Sequence, residues 1–438
     1  MSSFRARLRN FQLPGSAVTS GFLTAAMIVA GAFDYAVNII AGRRLTPTEF
    51  FVFVTVTAVL QVMVQVTNVI RNVVAYYTAE STVYPDATAR VGSVLKRSWR
   101  WGWRWGLVAA GAMAIASPLL ARFLHIETPQ SLWAASFALL LLFLRPITDG
   151  TLQGIQHFFG LGTVQIIQSV MRLLFTVALL WLGGRAASVI VALPLGSTLA
   201  LLVALWLLTA YFRAPAPDSP PRPISWRYSM FTLVGLLAFA LMVNIDPIIV
   251  RRFFGDAAAE AYAPVVTLGK MNLFIPLGIG LALFPKATQR HSAGRDSRRV
   301  LLIALAATIL PGLALSLLYW LYPAQIVSMV FGDAYTDPGI LLAMVGLATT
   351  LYAGVNIWVN YALSLERRAY ILILALIVTL EIIAMLAFHR YLESIALIMI
   401  VSGAAANIAG LLVTFRQTPK SITRQNAHSG LQENENGQ

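Results

Sequence analysis

The chain has 438 residues, of which 58% are hydrophobic and only 11% are charged, whereas soluble domains are about 45–50% apolar and about 25% charged. The apolar residues are spread over the whole length, so the composition excludes a soluble protein and leaves no segment for a separate soluble domain. The chain has no cysteine, which excludes disulfides, thiolate metal ligands and cysteine nucleophiles. Its net charge of +14 would indicate a nucleic-acid partner in a soluble protein.

Twelve apolar segments are each near the length of about 20 residues that a helix needs to cross a bilayer. The first one lacks a small-residue cleavage site, so we interpret it as a spanning helix rather than a signal peptide. In chain order the predicted spans lie near Val18–Ile40, Phe50–Val74, Trp103–Leu120, Leu132–Gly154, Thr163–Leu182, Ser188–Phe212, Tyr228–Val250, Tyr262–Phe284, Val300–Tyr322, Gly339–Leu363, Ala369–Phe388 and Ser394–Phe415.

A proline-rich fragment separates the sixth span from the seventh. Arg213–Arg227 contains five prolines and cannot continue a helix. We therefore predict an all-α integral membrane protein of two six-helix lobes, 1–212 and 228–415, joined by a cytoplasmic linker at 213–227. The polar residues 416–438 are predicted to form a disordered cytoplasmic tail.

The Lys and Arg residues indicate the orientation. The N-terminal side carries about three times as many of them as the opposite side, which places both termini in the cytoplasm of a plasma (inner) membrane. This distribution explains the net charge without a nucleic-acid partner. Six spans in each half also predict a parallel repeat, and Asn38-Ile-Ile-Ala-Gly-Arg43-Arg44 after the first span matches Asp246-Pro-Ile-Ile-Val-Arg251-Arg252 after the seventh.

Several predicted spans carry polar side chains about one helical turn apart, so that each set shares one helix face. Such stripes in separate helices predict a shared water-filled cavity, and the alternative is that these side chains only join neighbouring helices by hydrogen bonds. The sets are Gln61, Gln65, Asn68 and Asn72 in the second span, Arg145, Asp149, Gln153 and Gln156 in the fourth, and Asn356 and Asn360 in the tenth.

Charged residues within the predicted spans indicate functional sites, because each costs about 2.5–3.5 kcal/mol at mid-depth by insertion scales. Arg145 and Asp149 are four residues apart and are predicted to pair. Arg71 and Arg172 have few obvious partners, so we predict that a phosphate-bearing anionic substrate supplies their countercharge. Pairing with Asp34 or Asp246 is the alternative. The complete set is Arg71, Arg145, Arg172, Lys270, Asp34, Asp149, Asp246 and Glu381.

Asp246 directly precedes Pro247, which frees a backbone carbonyl and can kink the helix. A carboxylate beside unwound carbonyls is typical of a Na⁺ or H⁺ site, and a packing kink is the alternative. The sequence assigns no role to Glu381. The coupling-ion candidates are Asp34, Asn38, Asp149, Asn244 and Asp246.

The remaining patterns indicate no catalytic centre, metal site or cofactor. The five histidines have no metal-ligand spacing, and the chain contains no P-loop, which argues against ATP as a direct energy source. The Trp and Arg run between Trp99 and Trp105 is predicted to anchor the third span at the interface.

Short motifs at the span ends carry a resemblance to a known family. They are Asn38…Gly42-Arg43-Arg44-Leu45-Thr46-Pro47-Thr48-Glu49-Phe50, Leu152-Gln153-Gly154-Ile155-Gln156, Asn244-Ile-Asp246 and Phe284-Pro285. With these motifs and its span number, the chain resembles the polysaccharide-flippase branch of the multidrug/oligosaccharidyl-lipid/polysaccharide exporter (MOP) superfamily, which includes O-antigen and lipid-linked oligosaccharide flippases.

The resemblance implies a V-shaped fold like that of MATE transporters, in which two lobes alternate between inward- and outward-facing states. Similar flippases move polyprenyl-pyrophosphate-linked oligosaccharides to the outer leaflet for surface polysaccharide synthesis. The implied partners are that substrate, membrane lipids and polysaccharide polymerase or export machinery, and we expect a monomer. The resemblance implies a cationic central cavity for the pyrophosphate and glycan, which Arg71, Arg145, Arg172 and Lys270 would form. Together with amides of the polar stripes, these cations are the predicted substrate-binding residues; the amides are Asn68, Asn72, Gln153, Asn356 and Asn360.

Three other functions compete with a flippase. A multidrug antiporter of the same fold, exporting cationic compounds, should have an acid-dominated cavity. A membrane enzyme such as a polysaccharide polymerase needs a large external loop, and the outer loops here are short. A passive scramblase-like protein would not respond to an ion gradient.

Overall fold

A computed structural model describes residues 16–127, 129–217, 226–273, 298–335, 337–364 and 368–416, and every regular element among them is a helix. The helices are α1 (Ser16–Arg44), α2 (Pro47–Ser81), α3 (Ala87–Phe123), α4 (Gln130–Gly154), α5 (Phe158–Trp181), α6 (Ala186–Leu207), α7 (Thr209–Phe212), α8 (Trp226–Asn244), α9 (Asp246–Phe253), α10 (Asp256–Gly269), α11 (Arg298–Leu321), α12 (Pro323–Phe331), α13 (Ile340–Ser364), α14 (Arg368–Ala387) and α15 (Leu392–Arg416).

The all-α membrane fold is confirmed. Within the described ranges, ten helices are long and apolar enough to span a bilayer, and α8 with α9 forms an eleventh candidate that is bent by 46°. The eighth predicted span, Tyr262–Phe284, is described only as far as residue 273, beyond the end of α10 at Gly269. Much of the predicted linker, the Phe284-Pro285 motif and the tail from residue 417 also lie outside the described residues.

Helix α3 differs from the prediction at its N-terminal end. Hydropathy placed Arg90, Lys96, Arg97 and Arg100 in a loop, but α3 has 37 residues and includes all of them. Hydropathy detects only the part of a helix that crosses hydrocarbon, whereas Lys, Arg, Leu and Ala continue a helix readily outside it. The connection between α2 and α3 is therefore only residues 82–86.

The Thr46-Pro47-Thr48-Glu49 motif starts α2 and connects it to other helices. The Thr46 hydroxyl accepts a hydrogen bond from Glu49 N, and Pro47 occupies the first turn, where its missing N–H costs nothing. The Glu49 carboxylate accepts a hydrogen bond of 2.7 Å from Ala186 N at the start of α6, a position that favours a negative charge.

Helix α2 connects the two halves of the chain. Helices α1–α6 pack mainly on one another, through the pairs α2–α4, α3–α4, α5–α6 and α1–α5. In the second half the main pairs are α11–α13, α13–α15 and α14–α15. Helix α2 also packs against α8, α9 and α10, and the largest apolar cluster contains residues of both halves, among them Phe50 and Tyr262.

Candidate functional site

Two ion pairs lie among the helices of the first half. Arg145 on α4 donates from Nη1 to Gln168 Oε1 at 2.6 Å and from Nη2 to Asp149 Oδ2 at 3.1 Å. Arg172 on α5 donates from Nη1 to Asp34 Oδ1 on α1 at 3.0 Å. The pairing of Arg145 with Asp149, expected from their spacing of four residues, is present in the structure.

Arg172 has a partner that sequence spacing did not reveal. Its aspartate lies 138 residues away in sequence and is held in place by a second hydrogen bond of 3.0 Å from Ser169 Oγ. The two charges meet because α1 packs along α5. The expectation that Arg172 lacks a protein countercharge was wrong, and the alternative of pairing with Asp34 is what the structure contains.

Arg71 on α2 differs from the other two arginines, because it forms no ion pair with a described residue and its Nε is buried without a hydrogen-bond partner there. It lies within electrostatic range of Asp149, which already binds Arg145. Gly150 places them together, since a Cβ at that position would lie 2.5 Å from the Arg71 carbonyl oxygen. Three arginines thus share two aspartates, and one positive charge is in excess.

The polar stripes are only partly covered by protein. Gln61 and Asn72 on α2 and Gln153 on α4 are exposed, and Asn68 donates to Gln65 Oε1 at 3.0 Å. On α13, Asn360 is exposed and donates to Asn356 Oδ1 at 2.7 Å. Within the described chain, no hydrogen bond joins the amides of α2 to those of α13. The described part of the protein thus leaves amides uncovered on both halves of the chain.

A second polar cluster lies in the other half, at the bend between α8 and α9. Asp246 is fully buried, starts α9 with Pro247 in the first turn, and accepts a hydrogen bond of 2.7 Å from Tyr262 Oη. Lys270 donates from Nζ to Asn244 Oδ1 at 2.9 Å and lies within electrostatic range of Asp246. The predicted kink at Asp246 is present, and Lys270 belongs to this cluster rather than to the arginines.

Glu381 is a functional candidate that sequence reasoning left without a role. It is buried on α14 and accepts a hydrogen bond of 2.5 Å from Tyr352 Oη on α13. It also lies within electrostatic range of Asp246. Among the residues that the structure describes, Asp246 Oδ1 and Glu381 Oε2 are buried without hydrogen-bond partners. The charge of Glu381 inside an apolar span was the sequence signal for a functional residue. Its partner Tyr352 could not be predicted, because it lies 29 residues away on another helix.

The Asn38 side chain donates to the Asp34 backbone carbonyl at 2.9 Å within α1, and it has no hydrogen bond to a carboxylate among the described residues. No group of three or more His, Asp or Glu residues in the described chain is arranged to hold a metal ion. The arginines and the Asp246 cluster are also separate, since no hydrogen bond or ion pair that the structure describes connects them.

The two halves are joined at the end predicted to face away from the cytoplasm. Arg43 in the last turn of α1 donates to Val330 O at 2.7 Å and Met329 O at 2.5 Å, at the end of α12. Arg251 on α9 donates to Leu124 O at 3.0 Å and His125 O at 2.5 Å, after α3. We call these two arginines and the carbonyls they bind the outer clasp.

The outer clasp uses equivalent members of the repeated segments, because Arg43 and Arg251 are each the first arginine of their pair. Each guanidinium binds the carbonyl end of a helix in the opposite half, where a positive charge is favourable. Tyr335 Oη donates to Gly42 O at 2.8 Å. Burial, and then the charge of Glu260, raise the pKa of Tyr335 above its ordinary value, so it remains a donor.

Comparison with known proteins gives a likeness of fold. No family model and no curated protein sequence matches the chain. An inward-facing multidrug resistance MATE family transporter of the MOP superfamily superposes with a TM-score of 0.65 at 12% identity, over 89% of this chain and 98% of that one. The MATE multidrug transporter DinF-BH gives 0.65 at 13% identity, over 92% and 95% of the two chains.

The lipid II flippase MurJ, in an inward closed conformation, superposes with a TM-score of 0.62 at 11% identity, over 89% of this chain and 87% of that one. At these identities the likeness establishes the fold alone. The chain therefore has the MATE fold, which multidrug transporters and a lipid II flippase share.

Proposed function

We propose that the chain is a flippase that moves a polyprenyl-pyrophosphate-linked oligosaccharide across the plasma membrane by alternating access. The observation that carries the proposal is the arginine cluster of the first half, in which Arg71 is left without an ion pair among the described residues. A pyrophosphate would supply the missing negative charge, and guanidinium groups bind phosphate oxygens in bidentate geometry.

The cluster also has unused donors. The Nε atoms of Arg71, Arg145 and Arg172 are all buried without a hydrogen-bond partner among the described residues. Asp34 and Asp149 hold two of the guanidinium groups in place and leave those N–H groups available. Buried donors without partners are costly, so an oxygen-rich ligand would be bound strongly here.

The glycan would lie along the uncovered amides. We assign Asn68, Asn72 and Gln153 to one side of the glycan and Asn356 and Asn360 to the other, because sugar hydroxyls can donate hydrogen bonds to amides and accept them from amides. We place the two moving lobes at 1–212 and 228–415. With the outer clasp closed, the pathway would open towards the cytoplasm, where the substrate would be loaded.

Coupling would use the second cluster. Lys270 lies within electrostatic range of Asp246. It supplies the positive charge that a bound sodium ion would otherwise supply there. Glu381 has no cationic partner among the described residues, so it is the group we assign to carry a proton. Uptake of a proton by its carboxylate would neutralise it, and release would restore the charge, which gives an ion gradient a means of biasing the two states.

Export of cationic compounds is the second candidate, because multidrug transporters share the fold. It would need carboxylates free to bind the cation. In the first half, Asp34 and Asp149 each already bind an arginine, which favours an anionic substrate. For the flippase, we further propose that it acts as a monomer in the inner membrane, beside polysaccharide polymerase or export machinery.

Reconstitution into proteoliposomes tests the substrate class. We expect flipping of a fluorescent polyprenyl-pyrophosphate sugar that depends on the protein and no transport of a cationic dye. Dye transport without flipping would contradict the proposal and would identify a multidrug exporter instead. An imposed proton or sodium gradient in the same vesicles distinguishes the coupling ion from passive, scramblase-like movement.

A further inference from the structure

We propose that one exposed face of α3 binds the phosphate groups of anionic phospholipids at the cytoplasmic surface. The face consists of Arg97, Arg100, Trp101, Arg104 and Trp105, and we call it the α3 face. Counted from Arg97, the other four residues follow at three, four, seven and eight positions, so all five share one side of the helix. The site is separate from the arginine cluster and does not depend on the proposed transport function.

The packing of α3 fixes the direction of this face. Gly102 and Gly106 lie directly against α4, where a Cβ at Gly102 would be 2.4 Å from the Ile147 side chain and one at Gly106 would be 3.0 Å from that of Leu140. The α3 face is exposed along its length, with Trp101 39% and Trp105 50% accessible. The Trp101 ring lies beside Phe143 of α4, with 6.4 Å between the ring centroids. The three arginines and Trp105 point away from α4.

The depth of the face follows from the charges along α3. After Trp105 the helix has no charged residue until Arg122, and these 16 residues span about 24 Å, close to the ~30 Å of bilayer hydrocarbon. Arg104 and Trp105 are thus at the hydrocarbon edge, and Arg97 and Arg100 lie among the headgroups. Tryptophan favours this level, where its ring can pack beside a bound lipid.

The three arginines have no protein countercharge among the described residues. Helix α3 contains no Asp or Glu, and the ion pairs of the described residues include none of the three. From Arg97 to Arg104 the helix advances by about 10 Å, so three positive charges lie side by side on one face. Anionic lipids of the cytoplasmic leaflet supply the complementary charge at that depth, and guanidinium groups bind phosphate in bidentate fashion. Phospholipid headgroups are therefore the occupant.

Native mass spectrometry of protein released from nanodiscs tests the proposal. The nanodiscs would contain equal amounts of phosphatidylglycerol and phosphatidylcholine, and the measurement is the ratio of the two lipids retained on the protein. We expect the wild-type protein to retain phosphatidylglycerol preferentially, and the R97Q/R100Q/R104Q variant to lose most of that preference, by several-fold.

A matched control removes three exposed arginines from scattered places, R122Q/R185Q/R390Q, and so makes the same change in net charge. It should retain the wild-type preference. Thermal melting of each variant in detergent checks that the fold is intact. Equal phosphatidylglycerol retention by R97Q/R100Q/R104Q and wild type would overturn the proposal, as would an equal loss in the control, which would indicate net charge rather than a site.

Discussion

Arg71, Arg145 and Arg172 each have a buried Nε with no hydrogen-bond partner among the described residues, although two of the three guanidinium groups bind an aspartate. Removing one partner of a buried ion pair is costly because the other charge remains without compensation. The aspartates differ in exposure, since the Asp149 side chain is 8% accessible and that of Asp34 is 36% accessible. The two pairs should therefore contribute unequally to stability.

Asp149→Asn should lower the free energy of unfolding by about 3–5 kcal/mol. It leaves Arg145 without an ion pair and removes the negative charge that lies within electrostatic range of Arg71. Asp34→Asn should have a smaller effect, since water can solvate the charge that remains. Thermal and denaturant unfolding in detergent would measure both. Equal destabilisation by the two substitutions would contradict the difference in burial.

Glu381→Gln should abolish the stimulation of flipping by an ion gradient while flipping down the substrate gradient continues, because glutamine keeps the hydrogen bond to Tyr352 but cannot carry a proton. Transport in proteoliposomes with and without an imposed gradient measures this. Glu393→Gln, an exposed acid in the first turn of α15, is the matched control. Full gradient stimulation in Glu381→Gln would exclude the assigned role.

Among the elements, α2 carries most of the connections between the halves. It starts at the Thr46-Pro47 cap, brings Arg71 to Asp149 through its contact with Gly150, and packs against α8, α9 and α10. Glu49 at its first turn also binds the start of α6. A change in the distance between α2 and α4 should therefore reach the arginine cluster directly.

Gly150→Ala should destabilise the protein by about 1–3 kcal/mol, because its Cβ would lie 2.5 Å from the Arg71 carbonyl oxygen and the two backbones would have to separate. Gly111→Ala is the control, since nothing lies within 4 Å of a Cβ there, and alanine favours a helix by up to about 1 kcal/mol. Melting temperatures in detergent should move in opposite directions. A Gly150→Ala protein as stable as wild type would show that α2 and α4 are not in close contact.

Arg43→Ala with Arg251→Ala should open the outer clasp, because each guanidinium bridges to carbonyls of the opposite half. The chain has no cysteine, so spin labels can be placed at Arg44→Cys and Ala334→Cys, two exposed positions on opposite sides of the clasp. Distances between the labels should become longer in the double variant and remain unchanged in Arg122→Ala. Identical distance distributions in all three proteins would contradict a gating role.

At the scale of the whole molecule, the sequence predicted the membrane-spanning helices, whose length the bilayer sets, and the repeated segments. Apolar length located the membrane-spanning parts of the described helices. The repeated segments that contain Arg43 and Arg251 were matched in the sequence, and both arginines take part in the outer clasp. Local spacing also predicted the pair of Arg145 with Asp149. The sequence could not predict Arg172 with Asp34 or Glu381 with Tyr352, because those contacts depend on which helices are neighbours.

The measurement that tests the central proposal most directly is the rate at which Arg71→Gln flips a fluorescent polyprenyl-pyrophosphate sugar in proteoliposomes. One lost hydrogen bond to a charged group is worth about 1.5–3 kcal/mol, so the rate should fall about tenfold or more. Arg122→Gln, an exposed arginine at the end of α3, should flip at the wild-type rate. Wild-type flipping by Arg71→Gln would contradict a pyrophosphate site built on this cluster.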